Sequence, residues 1–166
     1  MDYFKRLLDS REKRYEEQIE LIEKNKLPII SFMLNIPGED KNNPKFVQFH
    51  KKAIKKLENL LGDKIIESFY KNKDTGMYYL ASVNMDGKEL KKLLIELEET
   101  PSGRIYDLDV FDKNKEQITR SKLGLKPRKC LICDDIAKVC IRESRHNKED
   151  ILKKINKIID LKKEKF

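Results

Sequence analysis

Apolar residues in the first third of the chain recur at the spacing of a helix, with one continuous apolar run between two such segments. Residues 2–25 predict an amphipathic helix whose buried side carries four apolar residues, Leu8, Tyr15, Ile19 and Ile22. The run 29–36 is apolar and partly β-branched, which predicts a buried strand and then a loop as far as Pro44. A second helix, ended by Gly62, is predicted from residues that repeat at three and four, Phe46, Phe49, Ala53, Leu57 and Leu60.

The middle of the chain predicts a hairpin and a third helix. Residues 65–70 and 77–83 have the composition of strands, and the turn-forming segment 72–76 lies between them. Asp86 and Glu89 have the spacing of a capping box, which predicts the start of a helix with a leucine side, Leu90, Leu93, Leu94 and Leu97.

The last third predicts a second hairpin and a terminal helix. Residues 104–111 alternate in polarity, and a turn at 112–115 separates them from a short predicted strand, 117–120. Asn147 is predicted to cap a final helix with an apolar inner side, Ile151, Ile155, Ile158 and Ile159. The order of elements predicts an α+β fold, with helices packed on a mixed or largely antiparallel sheet. We expect a single domain spanning 1–166, with a frayed tail at 162–166.

The composition is that of a globular protein with heavily charged helices. Charged residues make up 40% of the chain and apolar residues 39%, which leaves enough apolar side chains for one economical core. The sequence contains neither a membrane-length apolar run nor a signal-peptide pattern, so we expect no membrane association. The three cysteines cannot all pair in disulfides, which favours a reducing compartment and predicts the cytoplasm.

The basic residues predict a site for an anion. The net charge of +8 at pH 7 favours binding to polyanions, which include nucleic acids, phosphorylated small molecules and acidic proteins. Of the eight arginines, five lie in one stretch of the chain, Arg104, Arg120, Arg128, Arg142 and Arg145. The guanidinium group binds two phosphate oxygens at once, so this concentration indicates an anion site. His50, on a helix rich in lysine, is predicted to be a surface residue.

Asp107 and Asp109 are the candidate catalytic pair. Residues two apart in a strand project from the same face, so we expect the two carboxylates to lie side by side. Magnesium relieves the repulsion between neighbouring carboxylates and is held by one or two of them together with phosphate oxygens. Gly103 permits close approach to a ligand, and Arg104 offers a phosphate contact. The alternative is that the aspartates lie on the solvated face of an edge strand without a ligand.

Three cysteines and a histidine form the second candidate site, Cys130, Cys133, Cys140 and His146. Their number and type match a tetrahedral zinc site, although the later spacings match no standard zinc finger. The alternative is a thiol-lined core or pocket, since cysteine is common in protein interiors. His146 cannot bind phosphate and zinc through the same nitrogen. We favour anion binding over structural zinc because arginines flank this segment, Arg128, Arg142 and Arg145.

Several ordered motifs resemble one family over nearly the whole chain. They are Ser10–Arg14 with Gln18, Asn35–Gly38, Gly103–Val110, Leu123–Leu125 with Pro127–Cys133, and the set Ala137, Cys140, Arg142 and His146. Together they resemble the apo-citrate lyase phosphoribosyl-dephospho-CoA transferases, the CitX family. Dinucleotide-binding, P-loop, nucleophile-elbow and zincin motifs are absent from the sequence.

The resemblance implies a nucleotidyltransferase-type enzyme that attaches a prosthetic group to a carrier protein. The implied donor is triphosphoribosyl-dephospho-CoA, the acceptor is a serine of the citrate lyase acyl carrier subunit, and the by-product is pyrophosphate. Asp107 and Asp109 would hold magnesium against the triphosphate, with Arg104 and Arg128 at the leaving pyrophosphate. The further residues implied at the substrate are Gly103, Arg11, Arg142, Arg145 and His146.

Two alternatives stay open at this point. The nearer one is the equivalent transferase for the malonate decarboxylase carrier, which would use the same chemistry. The other is a basic module that binds nucleic acid, which the sequence disfavours because no motif combines aromatic and basic residues for base stacking.

Overall fold

Helices and strands follow the predicted order along the chain, except that the strand predicted at 117–120 does not form. The computed structural model describes residues 2–164, with side chains as far as residue 161. The elements are α1 (Tyr3–Asn25), β1 (Ile29–Leu34), α2 (Pro44–Leu61), β2 (Ile65–Lys73), β3 (Gly76–Val83), α3 (Gly87–Glu98), β4 (Tyr106–Phe111), α4 (Ala137–Arg142) and α5 (Lys148–Glu164). The predicted frayed tail lies partly outside the described residues, and the backbone of 162–164 continues α5. Within the described part of the chain, no helix is both long enough and apolar enough to span a membrane.

The strands form one sheet in the order β2-β3-β1-β4. All three neighbouring pairs are antiparallel, so the prediction of an α+β domain with a largely antiparallel sheet is confirmed. β1 is central and β4 is an edge strand, which places the two candidate aspartates at the rim of the sheet.

Local sequence signals set the ends of three helices as predicted. Gly62 ends α2 in a backbone conformation with φ of +56°, which glycine adopts without strain. The Asp86 carboxylate accepts the N–H of Glu89 at 3.1 Å and begins α3. The side-chain oxygen of Asn147 accepts the N–H of Asp150 at 2.8 Å and begins α5.

The main core lies on the face of the sheet that α2, α3 and α5 cover. Phe32, Tyr79 and Leu108 contribute fully buried side chains from three of the strands. His50 lies in this core, against the ring of Phe32 at a centroid distance of 4.5 Å, so the prediction of a surface histidine is wrong. Burial lowers the pKa of His50 to about 4 and keeps the imidazole neutral at pH 7.

Helix α1 covers the opposite face of the sheet through apolar and polar side chains, with Leu21 and Ile22 buried in a second, smaller core. Leu8 and Tyr15 are 46% and 55% exposed, so the predicted buried side of α1 is wrong for these two residues. The reason is that this face presents hydroxyl groups, which bond to polar helix residues. The contacts are Gln18 Nε2 to Ser31 Oγ (3.0 Å), Asn25 Nδ2 to Ser82 Oγ (2.8 Å) and Tyr78 Oη to Glu17 Oε2 (2.6 Å).

The second hairpin was predicted incorrectly, because residues 117–120 form no strand. That stretch pairs with β4 only briefly, through an isolated bridge between Phe111 and Gln117 and the bond from the Ile118 N–H to the Val110 carbonyl. The Asp112 carboxylate accepts the N–H groups of Asn114 and Glu116 and shapes the predicted turn. Beyond the turn, side chains of α3 occupy the outer edge of β4 where a fifth strand would pair.

Candidate active site and cysteine cluster

Asp107 and Asp109 lie on the same face of β4, as the strand period predicts. The pairing with β1 fixes this register, with Asp107 opposite Met33 and Asp109 opposite Ser31. The alternate residues of β4 are buried in the main core, Tyr106, Leu108 and Val110. Asp107 is exposed and Asp109 is half-buried, so both carboxylates face the side of the sheet that carries α1.

Side chains and one loop amide satisfy the outer backbone edge of β4. Leu108 donates its N–H to Glu98 Oε1 at 3.0 Å, and its carbonyl accepts from Lys91 Nζ at 2.7 Å. The bonds at either end are Arg128 Nη1 to the Tyr106 carbonyl (2.6 Å) and the Ile118 N–H to the Val110 carbonyl (2.8 Å). This edge strand is therefore held on both sides, which fixes the direction of the two carboxylates.

The environment of the pair disfavours two negative charges. Desolvation raises the pKa of Asp109 to about 6, and the neighbouring charge of Asp107 adds to the rise. Desolvation also raises the pKa of Asp107, with a contribution from the buried carboxylate of Glu98. Gln117 donates from Nε2 to Asp109 Oδ1 at 3.1 Å. A cation between the two carboxylates would relieve this repulsion, which is the property expected of a divalent-metal anchor.

Basic side chains of α1 and of the loop after β1 approach this face, since Arg11 lies close enough to act on Arg14 and on Lys41, and Arg14 lies close enough to interact with both aspartates. The Arg14 guanidinium lies over the ring of Tyr78, with Cζ 5.8 Å from the ring centroid. Desolvation and the charge of Arg11 lower the pKa of Arg14, while Asp107 and Asp109 act in the opposite direction. Desolvation and Arg11 also lower the pKa of Lys41. Clustered cations that repel one another beside a pair of carboxylates suit a polyphosphate.

Arg14 and Lys41 were not among the site residues predicted from the sequence. The available signal for Arg14 was its place in the motif Ser10–Arg14, from which only Arg11 was taken. Nothing in the sequence distinguishes Lys41 from the many other lysines, because its proximity to Arg11 depends on how the loop after β1 folds back toward α1.

Gly103, Arg104 and Arg128 lie at the start of β4 and bond to the protein's own backbone. A Cβ at Gly103 would lie 1.7 Å from the Leu97 carbonyl oxygen, so this glycine lets the chain pass the end of α3. Arg128 Nη2 donates to the carbonyls of Gly103 and Arg104, in addition to the bond from Nη1 to Tyr106. These contacts give Arg128 a positioning role for the strand that carries Asp107.

A cavity of about 370 Å³ opens beside the start of β4. Its wall contains residues from four of the sequence motifs that resemble the CitX family, and the fold brings these motifs together. They are Asn35 and Pro37 after β1, Arg104 and Ile105, Arg128 with Cys130, and Cys140 with His146. Apolar and basic groups line it together, since Leu131, Ile141 and Ile151 contribute alongside Lys129 and Lys148. This combination suits a ligand with both apolar and phosphorylated parts.

The second candidate site converges as a compact cluster. The ligand atoms of its four members, Cys130, Cys133, Cys140 and His146, all lie within 4.8 Å of one another. The cluster thus has the ligand set for one metal ion. Arg145 lies just outside it and pairs with Asp135 at 2.7 Å and Glu143 at 2.6 Å, while Arg142 is exposed on α4.

Comparison with known proteins matches nearly the full chain to one family. Residues 3–162 match the family model of apo-citrate lyase phosphoribosyl-dephospho-CoA transferase, CitX. A probable enzyme of that name from Streptococcus pyogenes serotype M3 is 35% identical over 159 residues, covering 92% of this chain and 83% of the relative. The corresponding transferase of Shigella flexneri is 29% identical over 158 residues, covering 93% and 86%.

A further relative carries the same region inside a longer protein. Protein CitXG of Leuconostoc mesenteroides subsp. cremoris is 34% identical over an alignment 174 residues long, which covers 96% of this chain and 37% of that protein. The resemblance inferred from the motifs is confirmed by the family match and these relatives. The chain belongs to the apo-citrate lyase phosphoribosyl-dephospho-CoA transferase family.

Proposed function

We propose that this protein transfers the phosphoribosyl-dephospho-CoA group from triphosphoribosyl-dephospho-CoA to a serine of the citrate lyase acyl carrier subunit. Pyrophosphate is the second product. The match of residues 3–162 to the family carries the proposal, and the names of the relatives at 29–35% identity support it. The arrangement of carboxylates beside clustered cations is the second support, because it suits a polyphosphate donor.

Asp107 and Asp109 are the proposed magnesium ligands. Their donor set fits this ion, since two hard carboxylate oxygens on one strand face leave room for phosphate oxygens and water. The raised pKa of Asp109 is the observation in favour, because burial and the neighbouring charge of Asp107 both disfavour its ionised form, which a bound cation would stabilise. When bound, magnesium neutralises charge that develops on the triphosphate during transfer.

The basic residues of α1 and of the following loop are proposed to hold the triphosphate. The charge of Arg14 acts on both carboxylates from the side of α1, and Arg11 acts in turn on Arg14 and on Lys41. The serine oxygen then bonds to the innermost phosphorus, the bond from that phosphorus to the departing pyrophosphate breaks, and the serine proton is released. Arg14 and Arg11 stabilise the charge on the leaving group.

The cavity beside β4 is the proposed site for the remainder of the donor. Arg104 and Lys148 lie in its wall and offer positive charge, while Ile105, Leu131 and Ile151 offer apolar contact. Arg128 connects this cavity with the proposed triphosphate site, since it lines the cavity and interacts with the charge of Asp107. The net charge of +8 favours an acidic carrier protein as the acceptor, through attraction at a distance.

The test is to measure the mass of candidate carrier proteins after incubation with the enzyme, magnesium and the triphosphate donor. We expect the citrate lyase apo-carrier to gain the mass of one phosphoribosyl-dephospho-CoA group, and a carrier with its acceptor serine replaced by alanine to gain nothing. Preferential modification of the malonate decarboxylase carrier would assign the protein to that substrate instead. No modification of either carrier, together with salt-sensitive binding to arbitrary nucleic acid, would contradict the proposal.

A further inference from the structure

We propose that Cys130, Cys133, Cys140 and His146 bind one structural zinc ion, which holds the loop between two neighbouring cavities. This inference goes beyond the transferase function, because it assigns a second metal site with a role in architecture. The ligand set is Cys₃His, one of the common sets of structural zinc. The ligand atoms lie within 4.8 Å of one another, whereas sulfurs on a tetrahedral zinc ion lie about 3.8 Å apart, so a small contraction completes the site.

The loop that carries the first two cysteines is built as a short hairpin. Lys129 and Ile136 form a bridge, and the Cys130 N–H donates to the Asp135 carbonyl at 2.7 Å. Within the hairpin, the N–H of Ile132 points to Cys130 Sγ at 3.4 Å, and the backbone of Asp135 hydrogen-bonds the Cys133 sulfur. Backbone N–H groups directed at sulfur stabilise thiolates, which are the form that binds zinc.

The other two ligands come from α4 and from the segment after it. Cys140 is 4% exposed, and its Sγ lies 3.5 Å from Cys133 Sγ. A ring nitrogen of His146, Nε2, is buried and has no hydrogen-bond partner among the described residues. A disulfide between the two close cysteines would use only half of the cluster, and it would leave the Cys130 thiol outside the bond and His146 Nε2 still without a hydrogen-bond partner. A single metal ion satisfies all four groups.

The position of the loop gives the zinc ion a consequence for the transferase site. Cys130, Leu131 and Ile132 line both the cavity of about 370 Å³ and a neighbouring cavity of about 660 Å³. Arg104 Nη2 donates to the carbonyls of Lys129 (3.2 Å) and Cys130 (3.0 Å), which joins this loop to the start of β4. Four protein ligands leave no open position on zinc, so the ion supports the cavity walls and takes no part in group transfer.

Metal analysis of the native protein, purified under reducing conditions without added metal, tests the site directly. We expect about one zinc ion per chain, and less than about one tenth of that in Cys133→Ser or Cys140→Ser. Asp134→Asn is the matched control, because Asp134 is an exposed residue of the same loop and should leave the zinc content unchanged. Native protein without stoichiometric zinc, or variants that retain it, would overturn the assignment.

Two further measurements keep the proposal testable if a cysteine variant fails to fold. Cobalt exchanged into the native protein should give the strong thiolate-to-cobalt absorption of a tetrahedral site, and its absence would count against the Cys₃His set. Removing the metal with a chelator should raise amide hydrogen exchange in residues 129–137 while the sheet stays protected; unchanged exchange there would refute the structural role. Neither readout uses donor or carrier, so failure here would leave the proposed transferase function intact.

Discussion

Replacing Asp107 by asparagine is expected to slow carrier modification about 10²- to 10³-fold while the fold is retained. Asparagine keeps the size of the side chain but removes the charge that would hold a cation against the donor. The strand itself should persist, because its backbone is bonded to β1 on one side and to Glu98, Lys91 and Arg128 on the other. The rate is measured as the appearance of modified carrier by mass spectrometry at saturating donor.

The same exchange at Asp63 provides the matched control. Asp63 is exposed in the short turn before β2, so Asp63→Asn should modify the carrier at the rate of the unchanged protein. Full activity of Asp107→Asn would contradict the role given to the pair, and equal losses in both variants would point to a general effect of charge.

The companion variant Asp109→Asn should combine lost activity with a more stable fold. The pKa of about 6 for Asp109 exceeds its ordinary value, so this carboxyl binds a proton more tightly in the folded state. Its contribution to stability is therefore present below about pH 4 and is lost as pH rises through about 6. We expect the variant to gain about 1–3 kcal/mol at pH 7 and little at pH 4, as measured by urea denaturation at both values. A variant no more stable than the unchanged protein at pH 7 would contradict the unfavourable charge assigned to Asp109.

Replacing Glu98 by alanine is expected to lower the free energy of unfolding by about 3–5 kcal/mol. Glu98 is 4% exposed, and its carboxylate accepts from the Leu108 N–H at 3.0 Å and from Arg120 Nη2 at 2.6 Å. Arg128 lies 3.8 Å from the same carboxylate. Removing the Glu98 carboxylate leaves the buried N–H of Leu108 and the partly buried guanidinium groups of Arg120 and Arg128 with fewer partners. Urea denaturation followed by circular dichroism measures the loss.

The adjacent Glu99 is the natural comparison for this variant. Glu99 also bonds to Arg120, at 2.8 Å, but its side chain is 58% exposed. We expect Glu99→Ala to change the free energy of unfolding by less than about 1 kcal/mol, because an exposed ion pair contributes little. Similar losses of unfolding free energy in both variants would show that the buried contacts of Glu98 stabilise the fold no more than the exposed ion pair of Glu99.

Elements with strong local signals were predictable from the sequence. The ends of α2, α3 and α5 follow from Gly62, Asp86 and Asn147, each of which bonds or bends within a few residues of its own position. The shared face of Asp107 and Asp109 follows from the two-residue period of a strand, which is also a local property.

The buried side of α1 was only partly predictable by the same reasoning. Ile22 is buried as predicted, in a cluster with Ile29 and Leu80. An apolar stripe marks the buried side only where the partner surface is apolar, and the rest of this surface carries Ser31, Ser82 and the two aspartates. Polar side chains such as Gln18 are therefore buried, while Leu8 and Tyr15 are exposed. The polar surface that misled the prediction is the one that carries the candidate active site.

Contacts between distant parts of the chain account for the other differences. The strand predicted at 117–120 fails because Lys91 and Glu98, seven residues apart on one side of α3, already bond to the outer edge of β4. Arg14 and Lys41 reach the site from α1 and from the loop after β1, which no spacing in the sequence reveals. For the cysteine cluster, residue types and number indicated the ligand set, and the fold supplied the convergence.

Direct measurement of cation binding tests whether Asp107 and Asp109 hold the metal ion. Manganese replaces magnesium at such oxygen sites and is detected by electron paramagnetic resonance, so it can be titrated against the protein in the presence of pyrophosphate. We expect the doubly substituted Asp107→Asn, Asp109→Asn protein to bind manganese at least about tenfold more weakly than the unchanged protein. Equal affinity in the two proteins would show that the cation, if it binds at all, is held elsewhere.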